Sequence, residues 1–509
     1  MKVITQLRQL INASLDAYEA ELTAHGLPDL DFEPVAHQLD NPDYLTPPKL
    51  FEARRAALSG LSMLTTLIKP AYQTACIEGP CGSALVAAYA VVVENGIATL
   101  LADPSVDPKQ GLSAETLGKE CDVDAAKLAR MLRILTSEGV FTELSEVRVS
   151  QLAASRISLA LVAPSDCHSW AMLSALIIGK SHLGIPEQLR DAQGRVGFNI
   201  AFNCSERFFP WVLGEKDRAR YFNEGMGGCG AMRVYSLFRI TAPGADLTSP
   251  SRSVAGLLND YPYETLPQGT HLVDVAGGQG SMSFPIIAKH NQLELTIQDQ
   301  EDVLPAAQTN WEKRWKKKVA SDRFSLQAHN FLEPNPISGD NVVYMLRWII
   351  HDWPAKECVE ILKNLRSVMS PKSKILIMDS VIMPPVPSTV PVDDFLSALA
   401  KFDNDAPYSP LVLPAPLPIN GRTELMVDAN MMTFLDSQER TTEQLQAILD
   451  AADLELIKLY RTRGSLHISE VMIKGSSGAS AETSGESRAS DTKSASANEY
   501  CADGPGDTA

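Results

Sequence analysis

The stretch His271-Leu-Val-Asp-Val-Ala-Gly-Gly-Gln-Gly280 decides the fold of this chain. A short apolar run ends in a turn of small residues. Residues 281–290 then repeat apolar side chains at helical spacing, and residues 293–299 form a second apolar run that closes on Asp299. The pattern predicts a strand–turn–helix–strand unit. Its tight turn lets backbone N–H groups approach a ligand, and its terminal acid can hold ribose hydroxyls. These residues by themselves indicate a nucleotide-like ligand and leave the chemistry open.

Downstream, strands and helices alternate, the mark of a mostly parallel sheet. Further strands are expected at 324–328, 341–346 and 374–378, with helices near 304–319 and 355–369. The basic run Lys313–Lys318 reads as a solvated helix face. A Pro-rich insertion at 384–420 has few helix or strand signals apart from 393–401 and reads as a surface excursion. Helices return at 422–434 and 442–452, then strands at 454–461 and 467–474. Residues 476–509 are rich in Ser, Ala, Gly, Thr and Glu, too poor in apolar residues to fold.

Upstream, Val3, Leu7, Leu10, Ile11, Leu15, Tyr18 and Leu22 fall at helical spacing, and a Pro-rich connector follows over 41–48. Helical patterns resume at 49–68 and 84–94. Ser113 can cap a short helix, and Asp122 or Asp124 a longer one that ends at Gly139. Residues 140–143 and 147–150 then alternate like the strands of a wing. A winged helix either reads DNA or serves as a dimerisation module. Lys127, Arg130 and Arg133 are modest for a recognition helix. A formal charge of −17 also argues against nucleic acid as the main partner, since phosphate binding needs clustered Lys and Arg. Residues 155–265 read as mostly helical, with Gly227-Gly-Cys-Gly230 a loop or helix interruption because no strand precedes it.

The chain has 509 residues, 45% of them hydrophobic and 21% charged, ordinary values for a multi-domain globular protein. We divide it into an N-terminal helix and connector (1–50), a helical and winged-helix region (51–265), a nucleotide-binding catalytic domain (266–475) and a tail (476–509). The amphipathic start lacks the apolar core of a signal peptide, and no apolar run is long enough to span a bilayer. Eight cysteines are scattered without a CxxC pair, which predicts free thiols, no metal site and the cytoplasm.

The second informative stretch is Leu346-Arg-Trp-Ile-Ile-His-Asp-Trp-Pro354. It places His351 just past a strand end, where open parallel sheets collect their ligands. Most lone histidines are structural, but this position favours a general base, a role that a group titrating near neutrality can fill. Asp352 is placed to cap the helix opened by Pro354. An acid on the far ring nitrogen would fix the tautomer. Asp379, at the end of the next strand, and Glu439, in Ser437-Gln-Glu-Arg-Thr441, are the candidates.

Taken in order, Val273-Asp-Val-Ala-Gly-Gly-Gln-Gly280, Gln298-Asp299, Leu346 to Trp353 and Glu439-Arg-Thr441 resemble the S-adenosylmethionine-dependent O-methyltransferases of the caffeate/flavonoid type. The likeness is greatest to fungal members acting on aromatic polyketides and spans roughly residues 80–474. It implies an α/β, Rossmann-like class I methyltransferase domain behind a mostly helical winged-helix dimerisation domain. It further implies a homodimer using S-adenosylmethionine to methylate a phenolic hydroxyl without a metal.

By the same resemblance, Gly277, Gly278 and Gly280 would face the methionine part of the cofactor, and Asp299 its ribose. Asn330 and Phe331 would line the adenine, and Arg347 would be a basic contact. His351 would be the base, flanked by Asp379 and Glu439, with Trp348 and Met431 lining the acceptor. Three positions depart from the family pattern. Ala276 stands for the usual first glycine, at little cost provided its φ is negative. Asn330 stands for Asp, and Asp379 is shorter than the common Glu. The competing readings are an NAD-dependent oxidoreductase, weakened by the missing third glycine, a winged-helix regulator, and a catalytically dead methyltransferase-like partner.

Overall fold

The chain is described from a computed structural model, which covers residues 2–41, 44–78, 82–144, 151–222, 225, 252–383, 388–415 and 422–476. The tail read as unfolded and the Gly227–Gly230 loop lie outside the described residues, apart from Ser476.

Two small strands open the β inventory, β1 (Leu112–Ser113) and β2 (Phe141–Glu143), and β3 (Gln151–Ala154) lies between them in an antiparallel sheet of order β1-β3-β2. Ser113 Oγ accepts from Thr116 N at 3.1 Å and caps the helix Ala114–Glu120. Asp124 Oδ1 accepts from Lys127 N at 2.8 Å and caps Ala125–Ser137. Each cap satisfies an N–H that the first helical turn would leave without a partner. Leu128, Leu132 and Leu135 bury one face of the longer helix, and Gly139 at φ 72 ends it. The strand predicted at 147–150 lies outside the described residues; β3 pairs antiparallel with β2.

The main sheet comprises β4 (Thr270–Val275), β5 (Leu293–Asp299), β6 (Phe324–Ala328), β7 (Val342–Arg347), β8 (Lys374–Asp379), β11 (Leu454–Arg461) and β12 (His467–Ile473). A two-residue pair, β9 (Val381–Ile382) with β10 (Arg440–Thr441), lies beside it. The order is β11-β12-β8-β7-β4-β5-β6, with β4 to β8 mutually parallel and β12 antiparallel to both β8 and β11. Alternate strand residues feed two cores. Leu272, Val343, Met345 and Leu376 pack with Phe284, Trp311 and Trp315 on one face. Val273, Tyr344, Ile375 and Ile377 pack with Ile361, Leu365 and Leu449 on the other. Central strands apolar on both sides follow from helices covering both faces. The strand order reverses between β4 and β7, so the crevice at their carboxyl ends is the place for a ligand.

The insertion differs from the expected surface excursion. Its helix Val392–Ala400 buries Val392, Phe395 and Leu399 against Leu7, Leu10, Leu50 and Ala53 of the N-terminal helices Val3–Ala24 and Pro48–Ile68. Glu52, fully buried, accepts from Tyr408 Oη at 2.7 Å and from Leu411 N at 3.2 Å, and pairs with Arg55 at 2.5 Å. The apolar stripe of the 392–400 helix was visible in sequence, but its partners lie more than three hundred positions upstream, as in the Gln9–Asp393 bond with its separation of 384.

Candidate active site

The first turn follows β4. Gly277 N donates to Gln298 O at 3.0 Å and Gly280 N to Gly277 O at 2.9 Å, a local network that closes the turn. A Cβ on Gly277 would stand 2.5 Å from the Asp274 carboxyl, and one on Gly280 2.5 Å from Ile297 Cδ1. Gly278 has φ 56 and open space where a side chain would stand. Asp299 sits across this turn and accepts from Gly278 N at 2.8 Å and Gln300 N at 2.8 Å. The backbone thus turns tightly around an open cradle with a carboxylate at its rim. Ala276 has φ 54, so the condition for a low-cost alanine is not met. The left-handed region costs an L-residue roughly 1–2 kcal/mol.

Beneath the cradle, Asp274 is a functional candidate that sequence reasoning passed over, although it is a fully buried acid just before the glycine turn. Burial pushes its carboxyl up to about 6, while Ser283 and Arg347 pull the other way. Arg347 ends β7, donates to Ser281 Oγ at 3.1 Å and lies 4.7 Å from the Trp348 ring centroid, so it ties the two strand ends together. Asn330 and Phe331 follow β6. Asn330 Oδ1 accepts from Leu332 N at 3.1 Å, and Phe331 meets Trp353 edge-to-face at 5.8 Å.

The second turn follows β7 and carries the histidine. Trp348 has φ 57, rare for a bulky residue, and such strain persists only where the surroundings impose it. Here Asp379 imposes it, accepting from Trp348 N at 3.0 Å and from His351 N at 3.1 Å. Asp379 therefore grips the backbone of the turn, not the imidazole. The ring partner is Glu439, whose Oε1 lies 2.9 Å from His351 Nδ1. Asp352 does not cap the following helix, which has Pro354 at its N-cap and no side-chain bond there. Its Oδ1 instead lies 3.2 Å from His351 Nε2. A short 3-10 turn, Ile350–Asp352, places the two side chains side by side.

Arg440 and Ser437 complete the clamp and were given no role from sequence. Arg440 donates to Ile350 O at 2.6 Å and Trp353 O at 2.7 Å, while Ser437 Oγ donates to His351 O. Asp428, on the helix Arg422–Leu435, accepts from Glu439 N at 2.9 Å, and Met431 stands on the same helix. Only the Glu439-Arg-Thr stretch hinted at this, since a charged pair before a helix has a bland reading as well.

Burial works against a charge on His351, but Glu439 and Asp352, with a smaller contribution from Asp379, override it and lift the imidazole to about 9. Burial likewise raises Asp379 to about 6, against the pull of His351. The arrangement is a buried, strengthened base one strand away from a ligand cradle.

Residues 253–398 match the model of the O-methyltransferase domain family. The chain is 25% identical over 452 residues to the O-methyltransferase gedA of Aspergillus terreus, across 83% of this chain and 87% of that protein. The crystal structure of OxaC in complex with SAH and oxaline superimposes with a TM-score of 0.59 at 19% identity, covering 92% of this chain and all of that one. A structure described as a pericyclic reaction enzyme reaches 0.60 at 20% identity over 83% and 94% of the two chains. At these identities the structural likeness speaks for the fold, and the reaction has to be argued from the site. Residues 253–398, which carry the glycine turn, Asp299, the His351 turn and Asp379, match the O-methyltransferase domain family, and the sheet has the class I methyltransferase fold.

Proposed function

We infer that this protein transfers the methyl group of S-adenosylmethionine to a phenolic hydroxyl of an aromatic small molecule, polyketide or phenylpropanoid in character. The observation that carries the reading is His351, held at Nδ1 by buried Glu439 and standing at the strand end next to the glycine cradle. When bound, the cofactor supplies an electrophilic methyl on sulfur. Gly277, Gly278 and Gly280 would hold its amino-acid end through backbone N–H groups. Asp299 uses two acceptor sites on the backbone and keeps others for ribose hydroxyls, since a carboxylate offers about four. Asn330 and Phe331 would meet the adenine, and Arg347 would be a cationic contact.

A phenol has a pKa of about 10, well above that of an ordinary imidazole at about 6.5. The Glu439 carboxylate narrows that gap by stabilising the imidazolium, so His351 Nε2 can take the hydroxyl proton at small cost. Glu439 also fixes the tautomer by accepting the Nδ1 proton. Asp379, Arg440 and Ser437 hold the turn, and Trp348 and Met431 line the acceptor. The proton transfer needs no metal. Among the described residues no group of three or more His, Cys, Asp or Glu side chains is arranged to hold one.

The protein acts in the cytoplasm as a homodimer, without nucleic acid or membrane as partner. Exposed Leu58, Leu61, Ile68 and Tyr72, at helical spacing on and just after the helix Pro48–Ile68, support an apolar contact between copies. Arg133 of the long winged-helix helix is already paired with Glu143 at 3.6 Å, which weakens a DNA role. Among the described residues no helix is long and apolar enough to cross a membrane. Mass spectrometry of a panel of phenols and hydroxylated polyketides with labelled S-adenosylmethionine tests the reading. A single labelled methyl on oxygen is expected; tight NAD binding with no S-adenosylmethionine binding would refute it.

A further inference from the structure

Both ring nitrogens of His351 face carboxylates, Nδ1 at 2.9 Å from Glu439 and Nε2 at 3.2 Å from Asp352. The two acids differ in their surroundings. Glu439 is fully buried, reaches the ring from a segment 88 positions away and has its own N–H anchored on Asp428. Asp352 is the adjacent residue, and its side chain is 25% exposed. One acid is fixed and the other can turn to water. Nε2 is also the only ring atom left for an acceptor hydroxyl, since Nδ1 is sealed by Glu439.

We propose that Asp352 is a latch on the base, occupying the Nε2 position of His351 until an acceptor hydroxyl displaces it. The proposal rests on reading His351 as the base. With Nδ1 hydrogen-bonded to Glu439 and Nε2 in ion-pair contact with Asp352, the ring carries two protons before an acceptor binds and cannot then act as a base. When a hydroxyl arrives, Asp352 swings outward, and the Nε2 proton leaves with it to solvent. The neutral nitrogen then accepts from the hydroxyl. Only N–H and O–H bonds change, and one proton is released. Glu439 stays in place throughout, so the base keeps its strength after the latch opens.

The other charged groups around the ring do not supply this control. Asp379 from β8 faces the backbone of the turn. Arg440 donates to the carbonyls of Ile350 and Trp353, and Cys358, from the helix Ala355–Arg366, donates to the same two carbonyls. Asp428 is held on Glu439 N. Among these, Asp352 alone combines contact with Nε2 and access to water. Against the opposing effect of burial, the carboxylates around the ring raise the imidazole to about 9, the behaviour expected of a doubly held ring.

Histidine-selective isotope labelling and NMR titration of the ligand-free full chain provide the direct test, with the His351 signal assigned by its loss in His351→Gln. The wild-type ring should stay doubly protonated through neutral pH, and in Asp352→Asn its titration should move down by about one unit. Asp352→Ser is the second variant and should behave likewise. With the best acceptor from the phenol panel, the acid limb of kcat/KM should shift down by the same amount, raising kcat/KM about tenfold at pH 7. The limb of kcat, which reports the complex, should not move. An unchanged His351 titration in both variants overturns the latch, as does a kcat limb that shifts with kcat/KM. Absence of methyl transfer to every phenol would defeat the proposed activity while leaving the titration result to stand or fall separately.

Discussion

The two turns at the ends of β4 and β7 solve the same geometric problem by opposite means. Each begins with a non-glycine residue in the left-handed region, Ala276 at φ 54 and Trp348 at φ 57. The β4 turn is closed by bonds among its own residues and the neighbouring strand β5, using glycines where a Cβ would collide. The β7 turn has no glycine and is held from outside by Asp379, Ser437, Glu439 and Arg440, at separations of 28 to 90 positions. A cradle needs an open backbone, so local residues suffice. A base needs a tuned side chain in a fixed direction, and that takes buried charge brought in from other elements.

The contrast can be broken most strongly at the base. His351→Ala should lower methyl transfer by about 10²–10⁴-fold, the usual contribution of a positioned base. S-adenosylmethionine affinity, measured by calorimetry, should remain near the wild-type value because the cradle does not depend on the second turn. An active His351→Ala would mean that another group takes the proton.

Glu439→Gln tests whether charge, rather than shape, strengthens the base. The base must be neutral to work and its pKa is raised to about 9, so wild-type kcat/KM should climb tenfold per pH unit through neutrality and level near 9. Without the carboxylate the imidazole titrates lower, and the profile should level at a lower pH and on a lower plateau, by about tenfold or more. A profile parallel to wild type would sink the electrostatic role of Glu439.

Arg440→Met sharpens the external-clamp side of the comparison. It removes the guanidinium donors to two backbone carbonyls in the buried turn and leaves them only the weak thiol donor of Cys358, a loss worth about 1–3 kcal/mol. The denaturation midpoint should fall, and kcat should fall with it, while S-adenosylmethionine binding at the locally closed cradle survives. The smallest effect belongs to Ala276→Gly. Relief of a left-handed alanine, about 1–2 kcal/mol, is partly offset by the entropy of glycine, about 0.5–1 kcal/mol. A net gain of about 0.5 kcal/mol should appear as a higher denaturation midpoint with an unchanged slope.

Much of this architecture is legible from local pattern. The near-continuous apolar runs of 271–275, 293–299 and 342–347 mark strands buried on both faces, and Ser113 and Asp124 mark helix starts that the structure keeps. Both are short-range effects, governed by side-chain period and by N–H groups within one turn. Local pattern also misled. Asp352 has the spacing of a cap, but a charged Nε2 one residue away offers a stronger partner than an uncharged helix end. The insertion's Phe395 and Leu399 gave no sign of their partners, because Leu7, Leu10 and Leu50 lie at the opposite end of the chain.

The sequence by itself therefore determined the nucleotide cradle and the presence of a histidine at the next strand end, since each is encoded within about ten consecutive residues. Tertiary structure alone decided what that histidine is. Glu439 on its ring, Asp379 on the strained turn that starts at Trp348, and the Arg440 that seals that turn all arrive from separate elements. Their effect depends on distance and burial, because charges interact strongly only where water is excluded. No run of residues states such a distance; the packing of β7, β8 and the Glu439 segment does.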